Sequence, residues 1–321
     1  MNQEKEKLKG WLILFFIFLI IMVLAAGMLF KRYQNYRTAN DRFDSLQSDV
    51  NINTGKTVEE HTKEENLEKT EESTLVDAEN DSVQEDEDTD IINILEEDKD
   101  TDIIDIGEED KGTDIVNRLE QSAIEIPDKA LDWDALHEEN GDIYAWIYVP
   151  DTTVDYPVLQ HPTDNSYYLN HNMNGTKGYP GCIYTEDFNG KDFSDIHTVI
   201  YGHNLKDKTM FSSLHNFENE ELFNKDHYIY IYTEDYVFVY RIFAAYEFDS
   251  IHLLDNYDYT NEYVYEDYLK KIYQTTDRVA NVREDIQVTT GNKIVTLSTC
   301  TADHDSNRRF LVTGVLVNPR G

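Results

Sequence analysis

Hydrophobic residues follow three different patterns along this 321-residue chain. Residues 11–30 form an apolar run without one charged side chain, which as an α-helix would measure about 30 Å, the thickness of a bilayer's hydrocarbon core. Residues 31–126 are mostly polar and have little to bury, whereas from residue 127 short apolar runs alternate with polar loops. The pattern predicts a short N-terminal segment at 1–10, a transmembrane anchor at 11–30, a largely disordered spacer at 31–126 and one globular domain at 127–321.

The globular region has the pattern of a mainly β domain. Alternating apolar residues on both sides of Glu234-Asp235 predict an antiparallel hairpin. A short amphipathic helix at 130–139 would begin the domain, and a helical period predicts a second helix at 261–274. The strand-like runs lie at residues 143–149, 153–160, 199–201, 228–233, 236–243, 294–300 and 309–317.

Two of the predicted strands end close to residues that carry chemistry. Cys300 ends its run, so a strand would hold the thiol while a loop leaves it reachable. His203 follows the run that ends at Tyr201, and Arg309 begins the next run after Cys300. A cysteine attacks as its thiolate, which a neighbouring imidazole or guanidinium favours. The three side chains therefore predict acyl transfer through a thioester.

Two of these assignments have competitors in the sequence. Arg308 and Arg309 are adjacent, and adjacent side chains of a strand point to opposite faces, so only one of them can face the cysteine. Arg309 is favoured because it directly precedes the apolar run. Among the ten histidines, His203 is favoured because it ends a strand, and His304, four residues from Cys300, is the alternative.

The motifs around these residues resemble the signature of sortases, the cysteine transpeptidases of Gram-positive cell surfaces. The motifs are Thr-Leu-Ser-Thr-Cys at 296–300, Tyr-Gly-His-Asn at 201–204 and the strand that begins at Arg309. Further segments resemble class B sortases in order and spacing, and the resemblance extends over residues 128–317. These segments are 140–150, 155–160, 164–169 and 208–214. The helix predicted at 261–274, between the His203 and Cys300 strands, also favours class B.

The resemblance implies both a fold and a mechanism. The fold would be a closed, mostly antiparallel β-barrel of about eight strands with peripheral helices, including an N-terminal helix and a long helix before the Cys300 strand. Cys300 would attack the carbonyl after the threonine of a sorting motif, while Arg309 stabilises the oxyanion or binds the substrate backbone and His203 moves the amine proton. The family pattern needs no metal or organic cofactor. The substrate-binding residues that it implies are Asn165, Leu169 and Ser298.

The resemblance also implies partners. These are surface proteins with a C-terminal sorting motif, of the Asn-Pro-x-Thr or the Pro-x-Thr-Gly kind, and an acceptor amine from peptidoglycan or its lipid-linked precursor. Two other functions stay open. A secreted cysteine protease or amidase would release the thioester to water with the same residues, and a surface binding module would hold Cys300 incidentally. A binding module has no reason to keep thiol, imidazole and guanidinium motifs together.

Charge changes the picture of the middle region. The chain has a formal net charge of −36, and residues 38–126 hold 30 acidic and 7 basic side chains. Within them a Thr-Asp-Ile-Ile or Thr-Asp-Ile-Val motif recurs at residues 89, 101 and 113. We interpret the repeats as a solvated spacer extended by charge repulsion, with weak divalent-cation binding or transient helices as alternatives. The globular region is also acidic, which argues against nucleic acid as a partner.

The apolar run at 11–30 has two interpretations. A single-pass N-terminal membrane anchor fits its length, while a cleaved secretory signal usually has a shorter apolar region. Flanking cations do not decide the orientation, because three precede the run and three follow it. The resemblance implies an extracellular catalytic domain and, with it, a short cytoplasmic segment at 1–10. The cations are Lys5, Lys7, Lys9, Lys31, Arg32 and Arg37.

The second cysteine, Cys182, has no partner to spare if Cys300 stays free. We expect Cys182 to be a small buried residue in a short strand, since free cysteines are commonly buried. A regulatory disulfide with Cys300 is the alternative. Either way, the domain would have no structural disulfide and would depend on packing for its stability.

Overall fold

Nine strands build the body of the protein in the computed structural model, which describes the backbone of residues 2–75 and 124–318 and the side chains of 11, 12, 14–50 and 124–318. The strands are β1 (Ile143–Tyr148), β2 (Asp155–Leu159), β3 (Ile183–Tyr184), β4 (His197–Tyr201), β5 (Tyr228–Tyr232), β6 (Val237–Asp249), β7 (Ala280–Val282), β8 (Ile294–Cys300) and β9 (Arg308–Leu316). The helices are α1 (Asn2–Leu75), α2 (Trp133–Glu139), α3 (Tyr167–Asn170), α4 (Glu220–Phe223), α5 (Leu253–Asn256) and α6 (Glu262–Tyr273), with a 3₁₀ helix at Ser212–Glu218.

Eight of the described strands close into a barrel. They follow the order β5-β1-β2-β3-β4-β8-β9-β6, and β6 pairs with β5 to complete the ring. β7 pairs with the second half of β6. The β2–β3 and β4–β8 pairings are parallel, and the others in the ring are antiparallel. The predicted mostly antiparallel barrel is thereby confirmed.

The predicted hairpin and both predicted helices of the globular region are present. β5 and β6 pair up to Tyr232 and Val237, on either side of Glu234-Asp235. α2 is shorter than predicted and begins after Asp132, whose side chain accepts a hydrogen bond from the Ala135 amide. α6 matches the helix predicted at 261–274 within one residue at each end.

Helix α6 covers one side of the barrel. Asn261 caps its N-terminus by accepting a hydrogen bond from the Tyr263 amide, and Lys270 and Lys271 lie in its last turn, where cations favour the helix dipole. Its buried residues recur at helical spacing and join the core with strand residues such as Phe243. They are Tyr265, Tyr268, Leu269 and Ile272.

Helix α1 continues beyond the apolar run and packs against the barrel. The sequence pattern placed a largely disordered spacer from residue 31, yet residues 31–50 are helical. Phe43 lies edge-on against Tyr156 with ring centroids 5.6 Å apart, and Gln47 Nε2 donates to the main-chain carbonyl of Asp155 at 2.6 Å. The sequence contains a helical signal here, because apolar residues at i, i+4, i+7 and i+11 put four of them on one helical face. These buried residues are Ala39, Phe43, Leu46 and Val50.

The acidic segment is an insertion in chain order. Met1–Asn51 and Ile126–Gly321 form one compact unit, and Ile52–Glu125 form another. The Thr-Asp repeats at 89, 101 and 113 lie outside the described residues, so their interpretation as a solvated spacer stays a prediction.

The apolar part of α1 is exposed. In the part of the chain that the structure describes, α1 is the one helix long and apolar enough to cross a membrane. Leu19 and Val23 expose 46% and 65% of their surface. Length and composition therefore fit a membrane anchor, and they also fit an N-terminal signal sequence.

Candidate active site

The parallel pairing of β4 with β8 brings His203 and Cys300 to one edge of the barrel. The last pair in this register is Tyr201 with Ser298, and the amide of Gly202 donates to the Ser298 carbonyl at 3.1 Å. His203 and Cys300 each lie two residues beyond that pair. Parallel strands end at the same edge of a sheet, so the two side chains reach one cavity.

The antiparallel pairing of β8 with β9 adds Arg309. Cys300 and Arg309 are directly opposite in the register, and side chains of directly opposite residues lie on the same face. Arg309 lines the cavity, whereas Arg308 forms ion pairs with Asp249 at 3.1 Å and Asp277 at 2.6 Å. The register thus separates the two arginines that the sequence left in competition.

The cavity at this edge, called here the Cys300 cavity, has a volume of about 300 Å³. Leu169 and Ser298, which the sequence predicted as substrate-binding residues, line it together with His203, Cys300 and Arg309. Asn165 is not among the residues that line it. The Asn165 amide instead donates to the Asp187 carboxylate at 2.5 Å, and its oxygen accepts the Asp187 main-chain amide at 2.8 Å.

Two glycines allow the strands and loops around His203 to approach closely. A Cβ on Gly202 would lie 2.5 Å from Ile183 and 2.6 Å from Phe211. A Cβ on Gly181, where φ is +71°, would lie 2.8 Å from the Tyr168 carbonyl oxygen. The Tyr-Gly-His motif therefore needs its glycine for packing, because only a residue without a side chain fits in front of the histidine.

His203 is partly buried and fixed by a main-chain contact. Its Nε2 lies 2.6 Å from the carbonyl oxygen of Leu169 and donates to it, and the Tyr179 ring packs edge-on at 5.1 Å between centroids. Burial lowers the pKa of His203, and the hydrogen bond to Leu169 acts in the opposite direction. The imidazole is therefore held mainly neutral near pH 7, with its proton on Nε2.

Arg309 keeps its charge without a carboxylate partner. Its Nη1 donates to the main-chain carbonyls of Ser306 at 3.2 Å and Arg308 at 2.8 Å. Among the described residues, no acidic side chain forms an ion pair with it. The guanidinium therefore has further N–H donors to offer to a group in the cavity.

Sequence reasoning missed Asn204 and His215, which hold the main chain at the end of β8. Asn204 Nδ2 donates to the Thr301 carbonyl at 3.2 Å, and His215 Nε2 lies 3.0 Å from the Cys300 carbonyl. The His215 ring also stacks on Phe310 at 4.5 Å between centroids. Asn204 belongs to the Tyr-Gly-His-Asn motif, which was a usable signal, whereas His215 lies in a 3₁₀ helix that has no strand pattern.

Sequence reasoning also missed Glu186 and His252, which line the Cys300 cavity. His252 Nε2 lies 2.6 Å from a Glu186 carboxylate oxygen, and Tyr201 donates to the same oxygen at 3.3 Å. Burial raises the pKa of Glu186, against the opposing effect of His252. No sequence motif marks this pair. Among the described residues, no three His, Cys, Asp or Glu side chains converge as a metal site would require.

The remaining candidates lie elsewhere. Cys182 is a free thiol with 1% of its surface exposed, as expected for a buried residue, and burial raises its pKa well above the ordinary value. It is not among the residues that line the Cys300 cavity, and neither is His304, the alternative histidine. Cys300 is also a free thiol and is half-buried.

Comparisons with known proteins identify the family and the fold. Residues 147–317 match the family model described as the sortase domain. The chain is 34% identical to sortase B of Listeria monocytogenes over 195 residues, 60% of this chain and 76% of that protein. It is 29% identical to sortase B of Staphylococcus aureus over 58% of this chain and 74% of that protein. The crystal structure of sortase B from Clostridium perfringens superimposes with a TM-score of 0.51 at 31% identity, over 58% of this chain and all of that one.

Proposed function

The chain belongs to the sortase family, and we propose that Cys300, His203 and Arg309 are its catalytic residues. Its relatives place it in class B, and sortases are cysteine transpeptidases that act on sorting motifs and amine nucleophiles. The observation that carries the assignment is the register of three neighbouring strands. It puts Cys300 opposite Arg309 and places His203 equally far beyond the last β4–β8 pair.

Cys300 is the nucleophile. The thiol passes its proton to His203, and the sulfur attacks the carbonyl carbon that follows the threonine of the sorting motif. When the C–N bond breaks, the departing amine takes that proton from His203, and a thioester remains on Cys300. The half-exposed position at a strand end supports this role, because it combines a fixed main chain with access from solvent.

In the second half of the reaction, His203 acts as the general base. An incoming amine attacks the thioester carbonyl and gives a proton to His203, and the C–S bond breaks to release the ligated product. The lowered pKa supports this exchange, because a mainly neutral imidazole can accept a proton near pH 7. The hydrogen bond to the Leu169 carbonyl fixes the ring during both halves.

Arg309 stabilises the oxyanion of both tetrahedral intermediates or binds the substrate backbone. Two of its N–H groups are used to fix the guanidinium against main-chain carbonyls, which leaves other donors for the substrate. A cation without a carboxylate partner stabilises developing negative charge more than a neutralised one does. Leu169 and Ser298 line the same cavity and would contact the sorting peptide beside the reacting bond.

The partners are surface proteins with a C-terminal sorting motif, and an amine of peptidoglycan or its lipid-linked precursor is the acceptor. The length and composition of the apolar run support residues 11–30 as a single-pass anchor, after a short cytoplasmic segment at 1–10. Residues 127–321 form the catalytic domain, which lies outside the cell, where these partners are found.

Product analysis tests the proposal. The full chain is incubated with threonine-containing sorting peptides and triglycine, and products are identified by mass spectrometry. We expect cleavage after threonine, an acyl adduct on Cys300 and a triglycine-ligated peptide. Cys300→Ala should give none of these, whereas Cys182→Ala should retain all three.

Other outcomes would change the assignment. Cleavage without ligation at saturating triglycine would indicate hydrolysis of the thioester, as in a cysteine protease. An adduct on Cys182, or cleavage that persists in Cys300→Ala, would contradict the proposed nucleophile. Replacing His203 and, as a matched control, His304 by alanine separates the two candidate histidines in the same assay, since only the first should abolish turnover.

A further inference from the structure

A second cavity lies between helix α1 and the barrel and shares His203 and Leu169 with the Cys300 cavity. It has a volume of about 610 Å³, and Met28, Lys31 and Arg32 of α1 line it. Lys177 and Tyr179 line it from the barrel, and His203 also belongs to its wall. We call it the anchor-side cavity. Its cations, Lys31, Arg32 and Lys177, do not line the Cys300 cavity and have no role in the proposed reaction.

The cations of the anchor-side cavity are free to bind an anion. Lys31, Arg32 and Lys177 are all exposed, and none forms an ion pair with a residue that the structure describes. No carboxylate is among the residues that line this cavity. In a chain with a net charge of −36, three unpaired cations around one cavity form an unusual local excess of positive charge. Arg32 lies over the Tyr179 ring at 5.9 Å from its centroid, so the aromatic ring helps to place it.

Position along the chain points to a membrane lipid. Lys31 and Arg32 directly follow the apolar run 11–30, which puts them at headgroup depth when that run spans a bilayer. Met28, one turn earlier, offers an apolar contact at the depth of the acyl chains. Tyr179 exposes 46% of its surface at the same level, and tyrosines are enriched at membrane interfaces.

We propose that the anchor-side cavity binds the phosphate of an anionic membrane lipid. Lys31, Arg32 and Lys177 contact the phosphate, and Met28 contacts the beginning of an acyl chain. The inference rests on the proposed membrane anchor and goes beyond the proposed reaction. It would hold the His203 side of an otherwise acidic enzyme against a membrane that repels the rest of its surface.

Lipid binding to the full chain in a non-ionic detergent tests the inference. Native mass spectrometry counts bound dioctanoyl phosphatidylglycerol, with dioctanoyl phosphatidylcholine as the neutral headgroup control. We expect one tight phosphatidylglycerol site and no comparable site for phosphatidylcholine. The triple variant Lys31→Gln, Lys177→Gln and Arg32→Gln should weaken this site about a hundredfold, since each cation near a lipid surface contributes about fivefold in affinity.

A matched triple variant keeps the test specific. Lys225→Gln, Lys270→Gln and Lys271→Gln removes the same charge from residues outside the cavity, and it should bind phosphatidylglycerol within threefold of the wild type. Glycerol 3-phosphate should not displace the lipid at equal concentration, because it lacks the acyl contact to Met28. The inference is overturned if the first triple variant keeps its preference for phosphatidylglycerol, if both triple variants lose it equally, or if glycerol 3-phosphate displaces the lipid.

Peptide cleavage in the same preparations keeps the two proposals apart. If the enzyme cleaves a soluble sorting peptide but binds both lipids equally, the lipid site is absent and the proposed reaction stands. If it binds phosphatidylglycerol but gives no Cys300 adduct, the proposed reaction fails and the lipid site stands. Alkylation of Cys300 by iodoacetamide while the buried Cys182 stays protected serves as a folding control for every variant.

Discussion

The Cys300 cavity and the rest of the barrel each contain a cysteine, a histidine and an arginine. In the cavity these side chains are accessible, whereas their counterparts elsewhere are buried or ion-paired. In the cavity, the side chains of His203 and Arg309 bond to main-chain carbonyls, and Cys300 is half-buried. Elsewhere, the protein satisfies or buries the corresponding groups. The matched residues outside the cavity are Cys182, His197 and Arg308. The difference shows that partners and burial, more than residue type, decide which side chains stay available for chemistry.

The two thiols should differ most. Burial raises the pKa of Cys182 and excludes reagents from it, whereas Cys300 lies at the mouth of a cavity. We expect iodoacetamide to alkylate Cys300 about a thousandfold faster than Cys182 in the folded protein. Peptide mapping after timed labelling measures both rates. Labelling in urea, where the two thiols should react at equal rates, is the reference. Comparable alkylation rates of Cys300 and Cys182 in native buffer would contradict the expected difference.

The two arginines should differ by two to three orders of magnitude in their effect on catalysis. Arg309→Ala removes an unpaired cation from the cavity, and we expect kcat/KM to fall by about 10²–10³. Arg308→Ala removes ion pairs with exposed carboxylates, so kcat/KM should change less than threefold, and the free energy of unfolding by about 1 kcal/mol or less. Peptide cleavage kinetics and urea unfolding measure the two quantities. An equal loss of activity in both variants would mean that the register does not select the working arginine.

Burial lowers the pKa of both His203 and His197, and His197 is the one that lies outside the Cys300 cavity. His197 is buried, its Nε2 lies 2.8 Å from the Thr296 hydroxyl, and burial lowers its pKa to about 3. Its Nδ1 has no hydrogen-bond partner among the described residues. Below about pH 6.5 the unfolded chain binds a proton at this position and the folded chain does not, so stability is complete above that pH and falls as the pH drops. We expect His197 to contribute a loss of about 1.4 kcal/mol per pH unit between pH 6 and pH 4.

Urea unfolding from pH 7 to pH 4, followed by circular dichroism, checks this slope. His197→Gln should be less stable at pH 7 but should lose less stability per pH unit than the wild type. Parallel curves for the two proteins would show that His197 is not the residue that takes up the proton.

The smallest expected effect concerns the support of the Cys300 main chain. Asn204→Ala removes the bond to the Thr301 carbonyl, and we expect kcat to fall about tenfold while KM changes little, because the nucleophile is displaced and the peptide groove remains. Asn216→Ala removes a similar bond, from Nδ2 to the Asp151 carbonyl at 3.2 Å, outside the cavity. It should leave kcat unchanged. Steady-state kinetics of both variants would contradict a positioning role if KM alone responded in Asn204→Ala.

Local patterns were sufficient for most of the fold. The alternation at β5 and β6 and the helical period at 261–274 are short-range features, and the structure has the elements that they predicted. The parallel pairing of β4 with β8 joins segments 97 residues apart, for example Ile200 with Leu297, and no local pattern encodes it. The choice between Arg308 and Arg309 depended on register in the same way.

The differences between sequence and structure have physical causes as well. Asn165 stays a prediction by resemblance, and Asp187, which lies 22 residues further along, binds both ends of its amide. The start of the spacer was misplaced because the acidic composition hid a narrow apolar face on α1. That face is buried only when it packs against a partner such as Tyr156, more than 100 residues away in the sequence. His215 and Glu186 have no sequence signal, because only the fold brings His215 to the Cys300 carbonyl and Glu186 to the Cys300 cavity.

If the apolar run spans a bilayer as proposed, the docking of α1 on the barrel sets how far the barrel stands from the membrane. From residue 30, where the apolar run ends, to Gln47, which bonds to Asp155, the helix rises about 25 Å. The acidic insertion starts after this contact, so a longer or shorter insertion would leave that distance unchanged. With the proposed anchor, the length of this helix would restrict the enzyme to sorting motifs presented within a few nanometres of the membrane, however far the rest of the substrate protein extends.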